Sequence, residues 1–339
     1  MTAFFLFVLA CLVSVATTAA LLSSRLKRHL MDHPNERSLH DSPTPRVGGI
    51  GICTGMFVAF LGLIVLGTEM PPAFLYVMAG ALIVMVVSFV DDLARLSPGF
   101  RILFHFAAAA VLVAGGLTVG SISVGGSSLD LPAMAATAFA LLYVVWLTNL
   151  YNFMDGMDGF AGGMTTVGFG VLALLAIVSG APALAAVAAC IAGASTGFLA
   201  FNFPPARVFM GDVGASTLGF LAAALSLWAD RQQVVPLWIS VLIFSPFIVD
   251  ATVTLARRGL RLERVWQAHK THYYQKLVQL GWGHRKTVLA EYGLMLACGG
   301  SAFLAHGSGR VGQWTVIAFW AIVYTLLIVS VHRMETRQA

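Results

Sequence analysis

The chain contains a succession of uncharged apolar runs, each about as long as a lipid bilayer is thick. A helix needs about 20 predominantly apolar residues to cross the hydrocarbon core. Inside a bilayer every backbone polar group must be satisfied within the protein, which favours helices. We therefore predict an all-α polytopic membrane protein, a single domain over residues 1–339, with about eleven transmembrane helices at 3–24, 47–67, 72–90, 101–118, 131–148, 161–179, 182–201, 214–229, 234–256, 288–305 and 313–332.

Composition supports this assignment and excludes a soluble enzyme. Only 10% of the residues are charged and 58% are hydrophobic, whereas a soluble domain is about 25% charged. The cysteines do not alter the picture, because they lie in apolar runs without the spacings of a metal site or a redox pair: Cys11, Cys53, Cys190 and Cys298.

Basic residues orient the chain in the membrane. All but two of the 20 Lys and Arg residues, Arg231 and Arg310, fall in the odd-numbered connections and the C-terminal tail. Because cytoplasmic loops are enriched in Lys and Arg, we predict that the N-terminus lies outside and the C-terminus in the cytoplasm. The net charge of +5 then reflects topology and attraction to anionic headgroups, and no nucleic-acid partner is predicted.

An unusual polar stretch, NLYNFMDGMDGFAGG at residues 149–163, interrupts the apolar runs. It carries Asn149, Asn152, Asp155 and Asp158 at three-residue intervals, so neighbouring members lie on related faces of a helical turn. Hydrogen bonds between helices would explain one or two of these side chains but not four. Amide and carboxylate oxygens suit Mg²⁺, which leaves positions for water and phosphate oxygens.

Three more carboxylates fall on the same predicted side of the membrane. Asp91 and Asp92 end the third predicted span, and Asp212 follows the seventh. A single Asp at a helix end is ordinarily a cap, and that alternative stays open here. Carboxylates near a membrane are costly to desolvate and tend to mark functional sites. We therefore expect an active site on the cytoplasmic face.

Taken together and in order, these motifs resemble a known family. They are Asp91-Asp92, N-x-x-N-x-x-D-G-x-x-G over 149–159, P-x-R-V-F-M-G-D-x-G over 205–214, the His269 and His272 region, and PNERSLHDSPTPRVGGIGI at 34–52. This set resembles the polyprenyl-phosphate N-acetylhexosamine-1-phosphate transferase family. The eleven-helix count is similar to that of the bacterial branch that starts O-antigen and related glycans.

The resemblance implies a reaction and its partners. A multi-pass enzyme of the bacterial inner membrane would transfer a sugar 1-phosphate from a UDP-N-acetylaminosugar to undecaprenyl phosphate in the bilayer and release UMP. The cofactor would be Mg²⁺, with Mn²⁺ able to substitute. A homodimer is compatible with the resemblance, and the sequence leaves the oligomeric state open.

The resemblance also implies roles for ten residues. Asn152 and Asp212 would bind the metal. Asp91 would deprotonate or orient the lipid phosphate, and the other catalytic carboxylates, which would shape the nucleotide and metal surroundings, are Asp92, Asp155 and Asp158. The substrate-binding residues would be Asn149, Arg207, His269 and His272, of which the last three would contact phosphates.

Alternatives remain at this stage. A transferase acting on UDP-MurNAc-pentapeptide typically has a Lys after the aspartate pair and a run of adjacent histidines, where this chain has DDLAR and HKTHYYQ. A secondary transporter would place its polar groups near the bilayer midplane, whereas these cluster at one face. An ordinary interfacial role for the two histidines stays open. Asp250, late in the ninth predicted span, is equally compatible with helix packing and with a role in the site.

Overall fold

The computed structural model describes residues 1–34, 39, 42–264 and 269–338. Two short antiparallel pairs accompany the helices: β1 (Met31–Asp32) with β2 (Thr44–Pro45), and β3 (Ser121–Val124) with β4 (Ser127–Asp130). The helices are α1 (Thr2–Ser23), α2 (Gly48–Val65), α3 (Ala73–Ala94), α4 (Pro98–Ala114), α5 (Ala133–Met154), α6 (Phe160–Val178), α7 (Pro182–Asn202), α8 (Asp212–Arg231), α9 (Leu237–Ile243), α10 (Ser245–Leu260), α11 (Tyr273–Leu277), α12 (Gly283–His306) and α13 (Arg310–Gln338).

The helices confirm an all-α membrane architecture. Within the described ranges, nine helical segments are long and apolar enough to cross a membrane, one of them running from α11 through α12. The bent pair α9 and α10 would make a tenth span, and α4 is a shorter apolar helix that begins three residues before its predicted segment. Every predicted apolar segment overlaps a helix, while the total of eleven spans stays a prediction.

The ninth predicted span is not the single helix over 234–256 that the sequence suggested. It is divided at Phe244, and its two halves, α9 and α10, meet at an angle of 83°. Pro246 lies in the first turn of α10, where its missing N–H removes one hydrogen bond to the preceding turn. The proline therefore starts a new helix instead of continuing the old one.

The shortest predicted segment, 214–229, proves to be the central helix. In α8, 94% of the most apolar stretch is buried, compared with 11% for α13 and 22% for α1. Gly219 explains the close packing, because a Cβ there would lie 2.6 Å from the Leu147 carbonyl oxygen of α5. Small residues at such crossings let helix backbones approach closely. Helices α1 and α13 instead present apolar side chains to the exterior.

Contacts group the connections at the two ends of the bundle. At one end the segments that follow α1, α5 and α7 touch, through Phe209 N donating to Pro45 O at 2.9 Å and Ala206 N donating to Asp158 at 3.0 Å. The end of α3 joins them, since Asp92 accepts from Asp212 N at 3.1 Å. At the other end the β3–β4 hairpin contacts the start of α13, since Gly125 N donates to the Gln313 side chain at 2.8 Å. These contacts agree with the predicted grouping for the connections named, and the topology as a whole stays a prediction. Which end faces the cytoplasm stays a prediction.

Candidate active site at one end of the bundle

The aspartate pair lies in the last turn of α3, and its first member is fixed by two donors. Asp91 is buried; its Oδ1 accepts a hydrogen bond from Leu96 N at 2.6 Å and its Oδ2 one from Arg101 Nη1 at 2.8 Å. The chain reverses direction between α3 and α4 because Arg95, the residue that follows α3, has a left-handed backbone (φ 53°). Arg101, in the first turns of α4, is thereby brought against the aspartate pair.

The second member of the pair contacts the start of the central helix. Asp92 Oδ1 accepts from Asp212 N at 3.1 Å and Oδ2 from Val213 N at 3.0 Å. These N–H groups belong to the first turn of α8, where no intrahelical acceptor is available. The approach requires a glycine at 211, which has φ +76° and where a Cβ would lie 3.1 Å from Asp92 Oδ2.

Two arginines hold the acidic groups together. Arg101 Nη1, besides its bond to Asp91, lies 3.4 Å from Asp212 Oδ2. Arg46, which precedes α2, reaches Asp92 Oδ1 at 3.7 Å and Asp32 Oδ1 at 2.9 Å. The sequence analysis assigned neither arginine to the site. A signal for both was present in the sequence, because each lies in or near a motif of the resemblance. Arg46 is within the 34–52 segment, and Arg101 follows Asp91 by ten residues.

Asp155 adds further negative charge to this group. It follows directly after α5, and it is half-buried. Burial raises the pKa of the Asp155 carboxyl well above its usual range, the negative charges of Asp212 and Asp92 raise it further, and Arg46 opposes them. Asp155 thus lies in a site where carboxylates outnumber cationic partners.

Asp158 organises a neighbouring part of the same end. Its Oδ2 accepts from Ala206 N at 3.0 Å, and its Oδ1 lies 3.1 Å from His284 Nδ1. His284 also places Nε2 3.1 Å from the carbonyl oxygen of Leu39. Asp158 therefore joins the connection after α7 to the start of α12. The sequence analysis did not identify His284, which stands alone in GWGHRK without a neighbouring motif.

The predicted histidines lie side by side. The rings of His269 and His272 have centroids 4.8 Å apart, and His272 is buried with Nδ1 3.1 Å from Asp250 Oδ1. The Tyr274 ring stacks on His272 at 5.8 Å, and its hydroxyl donates to Phe153 O at 3.3 Å, within the 149–163 stretch. The histidine region therefore adjoins the aspartates, and Asp250 is part of it.

Two predicted substrate-binding residues do not contact the acidic group. The Asn149 amide nitrogen donates to Val145 O at 2.7 Å and lies 3.1 Å from His105 Nδ1, a bond between α5 and α4. Arg207 is exposed, donates to Ala200 O at 3.3 Å and lies over the Phe201 ring. In the structure as described, Arg207 forms no ion pair with these aspartates.

The donor set is compatible with a hard cation. Within the described chain no group of three or more His, Cys, Asp or Glu side chains is arranged to hold a metal ion. Mg²⁺, however, commonly uses one or two protein ligands and fills its remaining positions with water and phosphate oxygens. Asn152 is half-buried, and among the described residues its amide makes no hydrogen bond. The excess of carboxylates at this end of the bundle is the environment that a divalent cation would neutralise.

The 34–52 motif of the sequence analysis is described only in part. Residues 35–38, 40 and 41 of the 34–52 motif lie outside the described residues, as does Trp266 near the histidines. The described remainder includes Arg46 and Gly49. A Cβ at Gly49 would lie 2.5 Å from Gly214 N, so α2 and α8 cross almost backbone to backbone beside the site.

Comparison with known proteins is consistent with this geometry. The profile of glycosyl transferase family 4 matches residues 74–230, which include the five aspartates that the sequence analysis assigned to the site. The chain is 28% identical to a probable undecaprenyl-phosphate N-acetylglucosaminyl 1-phosphate transferase of Bacillus subtilis, over 96% of this chain and 90% of that protein. A decaprenyl-phosphate N-acetylglucosaminephosphotransferase of Mycobacterium tuberculosis is 29% identical, over 80% and 74%. A phospho-N-acetylmuramoyl-pentapeptide-transferase of Shouchella clausii is 28% identical, over 73% and 79%.

Proposed function

The chain belongs to the polyprenyl-phosphate N-acetylhexosamine-1-phosphate transferases of glycosyl transferase family 4, and we propose that it transfers an N-acetylaminosugar 1-phosphate from a UDP-sugar to undecaprenyl phosphate, releasing UMP. The names of the Bacillus subtilis and Mycobacterium tuberculosis relatives support the polyprenyl-phosphate acceptor and the aminosugar. The lipid-linked diphosphate sugar would start a cell-envelope glycan such as O-antigen, at the cytoplasmic face of the inner membrane.

One observation carries the proposal: carboxylates and arginines from four separate connections converge at one end of the bundle. Arg101 contacts both Asp91 and Asp212, and Arg46 contacts Asp92. The reaction brings two anions together, so its barrier is dominated by positioning and electrostatics. The two guanidinium groups would attract the phosphates, and the carboxylates hold those guanidinium groups in fixed positions.

In this reaction an oxygen of the lipid phosphate attacks the sugar-bearing phosphorus of the donor. A new P–O bond forms to that oxygen, and the bond to the UMP oxygen breaks, so UMP leaves with the bonding electrons. A strong base is not obligatory, because a phosphate monoester has a second pKa of about 6. Both oxygens of Asp91 already accept hydrogen bonds, which favours an orienting role for this residue over proton removal.

We assign the cofactor Mg²⁺ to Asn152 and Asp212, with Asp155 beside them. When bound, the ion would neutralise phosphoryl oxygens and offset the charge that develops on the departing UMP. The protein's own contribution is to hold Asp212 at the start of α8, where Asp92 caps the helix. His269 and His272 are assigned to the substrate phosphates, which their location next to Tyr274 and the 149–163 stretch supports.

The competing candidate within the family is transfer of phospho-MurNAc-pentapeptide. The similarity to the Shouchella clausii protein favours it, and the absence of a Lys after Asp92 and of adjacent histidines in HKTHYYQ opposes it. Both candidates release UMP, so they differ only in the donor that the enzyme accepts.

The deciding experiment measures UMP release by the purified protein with undecaprenyl phosphate and a panel of UDP-N-acetylaminosugars, including UDP-MurNAc-pentapeptide. We expect turnover with a UDP-N-acetylaminosugar that stops in excess EDTA and returns with Mg²⁺ or Mn²⁺. Turnover with the pentapeptide donor alone would favour the competing candidate. Movement of a UDP-sugar into vesicles without any UMP release would indicate a transporter instead.

A further inference from the structure

We propose that Asp250 is the positioning residue that orients His272 toward the substrate phosphates. The proposal rests on the proposed function in one respect, the assignment of His272 to phosphate binding. Asp250 lies in the middle of α10 and has no place in the aspartate motifs of the family resemblance. Its role follows from what its carboxylate contacts.

The carboxylate is buried and accepts hydrogen bonds from four donors. Only 8% of Asp250 is exposed. Its Oδ1 accepts from Thr254 Oγ1 at 3.0 Å, from Tyr273 N at 3.0 Å and faces His272 Nδ1 at 3.1 Å, while its Oδ2 accepts from Tyr274 N at 3.0 Å. Four donors to one buried carboxylate satisfy its acceptor oxygens and fix its position.

Two of these bonds fix the backbone that carries the histidine. Tyr273 N and Tyr274 N are the first N–H groups of α11, which have no acceptor within their own helix. His272 immediately precedes them, and its own N–H donates to the Gln275 side chain at 3.3 Å. Asp250 therefore ties the start of α11 to α10, and the position of His272 relative to α10 is set by the same carboxylate.

The remaining bond selects which ring nitrogen faces the carboxylate. A carboxylate only accepts hydrogen bonds, so Nδ1 of His272 must carry the proton. Nε2 is then the ring nitrogen on the side away from the carboxylate, and it can donate to a phosphate oxygen when it too carries a proton. A histidine oriented through one nitrogen so that the other can act is a recurring arrangement in enzyme sites.

Tyr274, two residues after His272, connects the Asp250–His272 pair to the catalytic aspartates. Tyr274 stacks on His272, and its hydroxyl donates to Phe153 O. The fit is close, since a Cβ at Gly156 would lie 2.2 Å from that hydroxyl oxygen. Gly156 directly follows Asp155, so a change in how Asp250 holds α11 moves His272 relative to the aspartate site.

The far end of α11 is held separately, which makes the role of Asp250 testable. Lys276 Nζ lies 2.9 Å from Glu335 on α13, so α11 keeps one anchor when the other is changed. Asp250→Asn retains the volume of the side chain and one acceptor oxygen but removes the charge, and it sets an amide donor against a backbone N–H. Thr254→Val is the matched control, because it deletes one bond to Asp250 that does not involve His272.

The test combines kinetics with a direct measurement on the ring. In full-length protein we expect Asp250→Asn to reduce UMP release on the order of 10- to 100-fold, as for loss of an orienting partner of a histidine, and Thr254→Val to stay near wild type. Asp250→Asn combined with His272→Gln should be no worse than His272→Gln alone, since coupled residues are non-additive. Additive losses, or equal losses from Asp250→Asn and Thr254→Val, would overturn the proposal.

Nitrogen-15 NMR of histidine-labelled protein provides a readout that does not depend on activity. The His272 signals are assigned as those lost in His272→Gln. We expect a proton on Nδ1 in the wild type and a redistribution toward the Nε2-protonated tautomer in Asp250→Asn. Unchanged tautomers would refute the positioning role even in an active enzyme. A tautomer change in a protein that transfers no sugar phosphate would instead refute the proposed function and leave the positioning role intact.

Discussion

The Asp92 carboxylate caps the helix that begins at Asp212, because its Oδ1 accepts the Asp212 backbone N–H at 3.1 Å and its Oδ2 that of Val213 at 3.0 Å. A negative charge at a helix N-terminus also interacts favourably with the helix dipole. The Asp212 side chain makes no such bond to a helix end; it lies 3.4 Å from Arg101. We therefore expect these two aspartates of one site to contribute differently to stability.

Removal of the Asp92 carboxylate should destabilise the fold. We expect Asp92→Ala to lower the free energy of unfolding by about 1–2 kcal/mol, the usual cost of losing a helix cap, and also to reduce turnover. Asp212→Asn should cost less, because it keeps the backbone N–H that Asp92 accepts and weakens only the 3.4 Å ion pair with Arg101, a partly exposed pair worth about 0–1 kcal/mol. Thermal unfolding in detergent, measured beside UMP release, checks this. Equal destabilisation by both variants would show that the cap is not the main role of Asp92.

Substitution of the proposed metal ligands should affect turnover far more than folding. Asp212→Asn removes a formal charge with little change in volume, and Asn152→Ala removes one oxygen ligand. Each should cost on the order of 3 kcal/mol of transition-state stabilisation, a factor of about a hundred or more. Asn152→Ala should also raise the Mg²⁺ concentration needed for half-maximal activity. UMP release per folded molecule across a Mg²⁺ titration is the measurement, and near-wild-type rates in both variants would contradict the metal assignment.

Asp155 should make stability depend on pH in a defined direction. Its pKa is raised in the folded protein, so the folded state binds the proton more tightly than the unfolded chain, whose Asp pKa is about 3.9. Stability contributed by the protonated form is therefore present below that value and is lost as the pH rises through the raised folded pKa. Asp155→Asn should remove this dependence and be more stable than wild type at neutral pH.

The measurement is the thermal unfolding midpoint of both proteins from acid to neutral pH in EDTA. Added Mg²⁺ should narrow the difference in unfolding midpoint between wild type and Asp155→Asn. The reason is that a cation that binds only the folded state stabilises the wild type. A wild-type protein that gains stability relative to Asp155→Asn as the pH rises would have the opposite sign and would contradict the raised pKa.

The orientation of the bundle can be tested by labelling. In a background without native cysteines, Arg207→Cys and Ser127→Cys place single thiols at exposed positions at opposite ends. An impermeant thiol reagent should label Ser127→Cys in intact cells and Arg207→Cys only after the cytoplasmic face is opened. Labelling of both from the same side would contradict the predicted topology.

Much of the architecture followed from local properties of the chain. Every predicted apolar run of bilayer length overlaps a helix, although α11 lies outside all of these runs. The placement of Lys and Arg predicted which connections share one side of the membrane. The β3–β4 hairpin turns at Gly125-Gly126, and both glycines have the positive φ that a two-residue hairpin turn requires. The bend at Phe244 did not follow from the sequence, because a proline permits a kink without fixing its angle.

The sequence by itself determined the membrane architecture and which polar residues to suspect, since composition, length and motif order are carried by neighbouring residues. Only the tertiary structure decided which side chains meet. Arg101 lies 111 positions from Asp212, and His284 lies 126 positions from Asp158. Such partners are fixed by how helices cross, where Gly49 and Gly219 let backbones approach, and no periodicity along the chain encodes that. For the same reason the sequence did not decide the role of Asp250. Its partners at the start of α11 reach it only because α10 is bent away from α9 and α11 packs against α10.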